Sequence, residues 1–263
     1  MELGLKGRIA LVAASSKGLG KAVAEELAAE GASLVLCSRG EATLRATADA
    51  IGKRHNVPVL AVAADVGKAG EAERVTREGI ARFGKIDILL TNSGGPPAGP
   101  FESLTRETWD SAAALVLSSV VEFCRAVLPG MKERRWGRIL NVTSIAVKQP
   151  VDNLMLSNSL RSAVTGFART LANEVAPFGV TVNNLMPGFT RTDRMVELSE
   201  VTAEKEGITA EQALKRFTGS VPMGRMGEPR EFAALAAFLA SERASYITGQ
   251  SMAVDGGWIR GLL

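Results

Sequence analysis

The sequence predicts an α/β fold: a single doubly wound, Rossmann-type domain with a seven-stranded parallel sheet and helices on both faces. Three observations predict it. Short runs rich in Val, Ile and Leu alternate with longer segments whose apolar residues recur at helical spacing. Most of the short runs are continuously apolar, as strands covered on both faces must be. A glycine-containing turn, Ala13-Ala14-Ser15-Ser16-Lys17-Gly18-Leu19-Gly20, joins the first such run to the first helical segment.

Taken in order, the apolar runs predict strands at 8–14, 33–37, 57–63, 86–91, 137–143, 179–185 and 250–254. The periodic segments predict helices at 18–30, 41–54, 69–83, 105–130, 153–177 and 229–241. Gly31, Gly84, Gly137 and Gly179 read as stops near four helix ends, because glycine accepts the left-handed conformation that closes a helix. Right-handed crossovers between parallel strands then place helices on both faces and leave a ligand crevice where the strand order reverses. Segment 189–228 breaks the pattern, with Gly, Thr, Glu and Met alternating irregularly, and reads as a mobile lid containing a short helix. The whole chain, 1–263, reads as one domain.

Composition narrows the function classes. The net charge is +3, from 31 basic and 28 acidic residues scattered among one another, so nucleic acid is not an expected partner. The densest basic run, Lys132 to Arg138, reads as a solvated helix end, with docking of an acidic carrier protein as the alternative. No run of about eighteen apolar residues occurs, and the opening MELGLKGRIALVAASS reaches polar residues too early for a secretory signal. A cytoplasmic protein without membrane contact is expected. Cys37 and Cys124 lie far apart without C-x-x-C spacing and read as packed, reduced thiols. With His55 the only histidine, neither a metal site nor histidine-based nucleophilic catalysis is expected.

The turn after the first strand carries the most specific chemistry. A chain that leaves a strand and enters a helix must turn tightly, and glycines at 18 and 20 let the helix terminus approach a pyrophosphate without Cβ clashes. Ala14, Ser16, Lys17, Gly18, Leu19 and Gly20 are therefore candidate cofactor-binding residues. The second strand ends in Leu36-Cys37-Ser38-Arg39, without the acid that NAD-binding proteins usually present to the ribose 2′-hydroxyl. Ser38, Arg39 and Lys17 instead offer a hydroxyl and two cations suited to a 2′-phosphate. NADP(H) is the expected cofactor. The two cations also read as solvated surface charges, which leaves NAD(H) as the alternative.

Further motifs follow in order: Asp65-Val66 after the third strand, T-N-S-G-G at 91–95, N-V-T-S at 141–144, V-T-V-N-N-L-M-P-G at 180–188 and Thr192. R-M-G-E-P at 225–229 and S-Y-I-T-G-Q-S-M-A-V-D-G-G at 245–257 complete the set. With these motifs the sequence resembles the short-chain dehydrogenase/reductase superfamily, and within it the 3-oxoacyl-(acyl carrier protein) reductase-like branch, over nearly its whole length. The resemblance implies an oxidoreductase acting on a carbonyl/hydroxyl pair, with a small carbonyl or alcohol substrate that extends to acyl thioesters. It also implies a homo-oligomer, a tetramer or dimer, assembled through the helices at 105–130 and 153–177 and the last strand. Asp65 and Val66 would flank the adenine, Asn92, Ser93 and Gly94 would line the dinucleotide cleft, and Pro187, Gly188 and Thr192 would hold the nicotinamide end. The alternative for Asp65 and Asn92 is turn or cap formation.

The chain departs from the pattern of that superfamily at the catalytic set of asparagine, serine, tyrosine and lysine. Counting from Ser144 places Ser157 at the tyrosine position and Arg161 at the lysine position, and counting from Trp109 places Val116 at the asparagine. The one tyrosine, Tyr246, lies in S-Y-I-T-G near the last strand. Ser144, Ser157 and Arg161 are the catalytic candidates. Residues 157 and 161 share a helix face, and an arginine at 161 can bond the cofactor ribose, which makes Arg161 a cofactor-binding candidate as well, and can stabilise oxyanion charge, but it does not serve as a general acid. Water held among these groups is one proton source, and Lys148 or Asp152 on the preceding loop is another. The alternative function is an NADP(H)-binding sensor or scaffold with little turnover, for which Ala14 speaks, since alanine is costly where a turn requires positive φ. In the lid, Phe189, Met195, Leu198, Phe217, Met223 and Met226 read mainly as packing residues that could also cover an acyl ligand. The apolar end Gly261-Leu262-Leu263 suits burial in a neighbouring subunit.

Overall fold

The computed structural model describes residues 2–262. Seven strands form one sheet: β1 (Ile9–Ala13), β2 (Ser33–Ser38), β3 (Val59–Ala63), β4 (Ile88–Thr91), β5 (Gly137–Val142), β6 (Val180–Pro187) and β7 (Ser251–Val254). Their order is β3-β2-β1-β4-β5-β6-β7, and every neighbouring pair is parallel. The order reverses between β1 and β4, so the chain leaves these two strands toward opposite halves of the sheet and a crevice opens at their C-terminal ends.

Strand periodicity divides the core between two faces. Ile9, Leu11 and Ala13 of β1 join one cluster with α3 (Glu71–Phe83), the helical segment 106–133 and α6 (Met155–Val175). Ala10 and Val12 join the other with α1 (Gly18–Ala29), α2 (Glu41–His55) and α9 (Pro229–Ala240). Both faces of the strands are covered, which is why the runs are apolar without alternation.

Three sequence expectations are corrected. The helix expected at 105–130 is α4 (Arg106–Ala113) and α5 (Ser119–Glu133) joined by a π turn at Ala114–Ser118. Among the described residues this continuous segment, Arg106–Glu133, is the one helix long and apolar enough to cross a membrane. Its Val116, Val120, Phe123, Cys124, Val127 and Met131 are nevertheless buried in the core, which accounts for its apolar character. Gly137 does not stop a helix. α5 ends earlier, followed by the left-handed Arg135 (φ 54°), while Gly137 opens β5 where a Cβ would run into the Met131 side chain. Segment 189–228 holds two helices rather than one, α7 (Asp193–Glu206) and α8 (Ala210–Gly219). A reciprocal capping box between Thr209 and Gln212 starts α8, a T-x-x-Q signal that the irregular composition around it obscured.

Two features set where α1 begins. Ala14 adopts φ 49°, left-handed for a residue with a Cβ, at a cost of about 1 kcal/mol. A Cβ built on Gly20 would overlap the carbonyl oxygen of that same Ala14, so the helix can lie this close to the strand only with glycine there. Substitution of Gly20 by alanine is expected to destabilise the fold by about 1–3 kcal/mol. Gly166→Ala, on an exposed turn of α6 with open space around it, is expected to stabilise it by about 0.5–1 kcal/mol. Denaturant melts of both variants check the contrast; equal effects would contradict the packing argument.

The two cysteines lie in the interior, and burial pushes both the Cys37 and the Cys124 thiol up to about 12. A disulfide-exchange reagent at mildly alkaline pH should therefore find neither thiol in the folded protein and both after denaturation. Rapid modification of the native protein would show that one of them is accessible.

Candidate active site

A cleft of about 730 Å³ lies over the C-terminal ends of the strands, where the sheet order reverses. One wall is the turn from β1 into α1, contributing Ala14, Ser16, Lys17, Gly18 and Leu19. Gly20 does not line the cleft; its place is the contact with Ala14. The turn is fixed to its neighbours by backbone and hydroxyl bonds. The Ser15 N–H donates to the Cys37 carbonyl at 3.1 Å, and Thr47 Oγ1 donates to the Ser16 carbonyl at 2.9 Å.

The end of β2 brings Ser38, Arg39 and Gly40 to the cleft, with Thr43 from α2 beside them. Ser38 Oγ is buried and has no hydrogen-bond partner among the described residues, whereas Arg39 is exposed. Beyond β3, Asp65 and Val66 form the next stretch of wall. The Asp65 carboxylate accepts from the Gly67 N–H at 3.1 Å, so its turn-forming role and its place in the cleft coexist.

Deeper in, the loop after β4 supplies Asn92, Ser93 and Gly94. Arg161, on α6 and only 8% exposed, donates from Nη1 to the Val142 carbonyl at 2.7 Å and from Nη2 to the Gly94 carbonyl at 2.5 Å. It thereby fastens the β4 loop to the end of β5. Ser157 lines the cleft one helical turn before Arg161, and Ser144 lines it from the end of β5. Ser144 Oγ accepts from the Ala146 N–H at 3.1 Å, which leaves its own proton free to point elsewhere. Lys148 and Asp152 are exposed and do not line the cleft, which corrects their candidacy as proton sources.

The far wall follows β6, with Pro187, Gly188, Phe189, Thr190 and Thr192, then Asp193, Met195, Glu197 and Leu198 of α7. Of the apolar lid set, Phe189, Met195 and Leu198 face the cleft. Phe217 instead stacks on Phe189 with centroids 5.3 Å apart, and Trp258 meets the Phe189 ring edge-on at 5.8 Å. Met226 is buried, while Met223 is 67% exposed and takes neither expected role. Leu262 is fully exposed in the isolated chain, and Leu263 lies outside the described residues.

Sequence reasoning missed three features. Thr91 donates to Asn141 Oδ1, Asn141 Nδ2 to Asn184 Oδ1, and Asn184 Nδ2 to Ser251 Oγ, at 2.8, 3.2 and 3.0 Å. This polar row crosses β4, β5, β6 and β7 just beneath the cleft and pins their register; polar residues at one level of four apolar strands were its signal. Asp193 and Glu197, four residues apart on α7, bring two carboxylates to the cleft, and nothing in an irregular segment marked them. The π turn at 114–118 places Leu115 on the cleft and buries Val116 in the core.

Comparison with known proteins agrees with this geometry. The family model described as enoyl-(acyl carrier protein) reductase matches residues 13–259. D-beta-hydroxybutyrate dehydrogenase of Cupriavidus necator is 36% identical over 256 residues, 97% of this chain and 99% of that protein. The 3-oxoacyl-(acyl carrier protein) reductase of Vibrio cholerae is 35% identical over 255 residues, 97% of this chain and 98% of that one. The crystal structure of L-sorbose reductase from Gluconobacter frateurii, complexed with NADPH and L-sorbose, aligns with a TM-score of 0.95 at 32% identity, covering all of both chains. A parallel sheet with a glycine turn at its reversal point and a match that spans almost every residue place the chain in that family, within the short-chain dehydrogenase/reductase superfamily of NAD(P)-dependent oxidoreductases acting on carbonyl and hydroxyl groups.

Proposed function

We propose that the chain is an NADP(H)-dependent carbonyl reductase or alcohol dehydrogenase, akin to 3-oxoacyl-(acyl carrier protein) reductases, that works without the usual tyrosine and lysine. The observation that carries the cofactor choice is at the end of β2. Ser38 Oγ is buried without a partner beside the exposed cation Arg39, and an anion with several acceptor oxygens would complete both. No acid occupies the position where a ribose 2′-hydroxyl would be read. The glycine turn and the first N–H groups of α1 suit the diphosphate, Asp65 and Val66 the adenine, and Asn92 to Gly94 with Pro187, Gly188 and Thr192 the nicotinamide end.

When bound, such a cofactor would supply or accept a hydride. The protein's own groups in the cleft orient substrate and carry charge. Ser144 Oγ, already an acceptor for Ala146 N–H, turns its proton toward the substrate oxygen. Arg161 stays protonated and holds the β4 loop in place, contributing positive potential to an oxygen that gains negative charge. Water between Ser144 and Ser157 delivers the proton, since among the described residues lining the cleft there is no tyrosine, histidine or cysteine. Ile145, Val151, Leu154, Met195 and Leu198 form an apolar wall suited to an acyl or alkyl substituent, with segment 189–228 as its cover. The chain acts as one unit over 1–263, as a cytoplasmic homo-oligomer, tetramer or dimer.

The same absence of a phenol, imidazole or thiol favours a second reading, a nucleotide-binding sensor or scaffold that turns over little. Calorimetric titration with NADPH and NADH, paired with a panel of carbonyl substrates followed by cofactor absorbance, separates the two. Binding without turnover selects the sensor. Arg39→Asp should weaken NADPH binding by at least about tenfold, the scale of one charge-assisted contact, and NADH far less. An equal loss for both would refute the 2′-phosphate assignment.

The catalytic assignment has its own test. Ser157→Tyr combined with Arg161→Lys should raise ketone reduction by about 10²- to 10⁴-fold, the usual contribution of a positioned general acid. No gain from a stably folded double variant would mean that the deep end of the cleft serves different chemistry.

A further inference from the structure

One carboxylate in the cleft has no part in the chemistry proposed above. Asp193 is the first residue of α7, and its Oδ2 lies 3.1 Å from Nζ of Lys17, the residue that precedes α1. The two side chains come from opposite walls of the same cleft, one from the glycine turn and one from the lid. The walls also approach at the neighbouring pair, since a Cβ built on Gly18 would sit 3.7 Å from Cγ2 of Thr192.

The lid side of this contact is anchored from behind. Arg191 N–H donates to the Gly227 carbonyl at 2.9 Å, Gly227 N–H donates to the Phe189 carbonyl at 2.9 Å, and Arg191 Nε meets Glu228 Oε1 at 3.0 Å. The turn side is equally fixed, because Ser15 N–H is bonded to the Cys37 carbonyl. That bond also sets the turn directly beside Ser38 and Arg39, which follow Cys37. Lys17, Ser38, Arg39 and Asp193 line the same cleft, so an anion held by Ser38 and Arg39 and the carboxylate of Asp193 are both candidate partners for the Lys17 cation.

We infer that Asp193 moderates the cofactor preference of the cleft by competing with the 2′-phosphate for Lys17. The inference rests on the NADP(H) reading above. A dinucleotide without the phosphate leaves the Lys17–Asp193 pair intact. One with the phosphate either takes Lys17 away from Asp193 or binds while that cation is already neutralised, and both routes weaken its binding. The pair is 62% and 66% exposed, so it is hydrated and weak, and its influence is a modest factor rather than an absolute block. Asp193 thus moderates the preference that Ser38 and Arg39 create.

The test is calorimetric titration of the full chain with NADPH and with NADH, for the wild type, Asp193→Asn, Lys17→Met and the double variant. Asp193→Asn keeps the side-chain volume and removes the charge. It should raise the NADPH-over-NADH affinity ratio by about two- to fivefold, the range of an exposed ion pair. In the Lys17→Met background the same substitution should leave the ratio unchanged. A ratio that stays put or falls in Asp193→Asn overturns the inference, as does an equal rise in the Lys17→Met background, which would reflect general loss of negative charge. Asp193 also sits in the first turn of a helix, where a carboxylate supports the helix itself. Loss of that support would lower the melting temperature without moving the ratio. A wild type that binds neither dinucleotide sinks the NADP(H) reading and this inference with it. A wild type that binds both, with a ratio indifferent to Asp193, sinks the inference alone.

Discussion

The close approach of α1 to the end of β1 is the constraint from which the rest of the site follows. It requires that Gly20 carry no side chain, because the Ala14 carbonyl fills the space a Cβ would take. It also requires Ala14 to hold a left-handed conformation that alanine adopts reluctantly. Once these two conditions are met, the start of α1 lines the crevice with Gly18 and Leu19, and Gly18 comes close to Thr192 across it. Strain at Ala14 is thus compensated by the packing it permits, as is common where backbone is shaped for a ligand.

Arg161 plays the corresponding part at the deep end. A buried guanidinium with two carbonyl acceptors is a fastening as much as a charge: it joins the end of β5 to the left-handed Gly94 in the loop after β4. Ser144 and Ser157 line the cleft from the two elements that Arg161 joins, the end of β5 and α6. Beneath it, the row Thr91–Asn141–Asn184–Ser251 does for four strands what Arg161 does for one loop. Each amide in that row both donates and accepts, so a slip of register by one strand would leave buried polar groups unpaired. Rigidity in the sheet is what allows the turns above it to be specialised.

Segment 189–228 is built on different principles. α7 and α8 pack on each other, Phe217 of α8 stacks on Phe189, whose ring also meets Trp258, and an exposed ion pair links α7 to the turn after β1. Apolar contacts give it a preferred position, and the hydrated Lys17–Asp193 pair gives it a weak, replaceable tie to the turn.

The sequence by itself determined the sheet, its parallel sense and the position of the glycine turn. The reason is that continuous apolar runs and helical periodicity encode burial on both faces directly, residue by residue. It also pointed to Ser38, Arg39, Asp65, Asn92 and Ser144, because residues at or just past a strand's C-terminal end gather at the crevice edge, whereas Ser157 and Arg161, on α6, were reached only through the spacing of the superfamily it resembles. What it could not supply were relations between side chains distant along the chain. That Gly20 answers to Ala14, that Arg161 spends its donors on Val142 and Gly94, and that Asp193 reaches Lys17 across 176 positions depend on how the elements stack in three dimensions. The second helix of segment 189–228 escaped notice for a related reason: its start is set by a local capping box, whereas its apolar face is completed by partners elsewhere in the fold. Local pattern reports what each segment must bury; only tertiary packing decides against what.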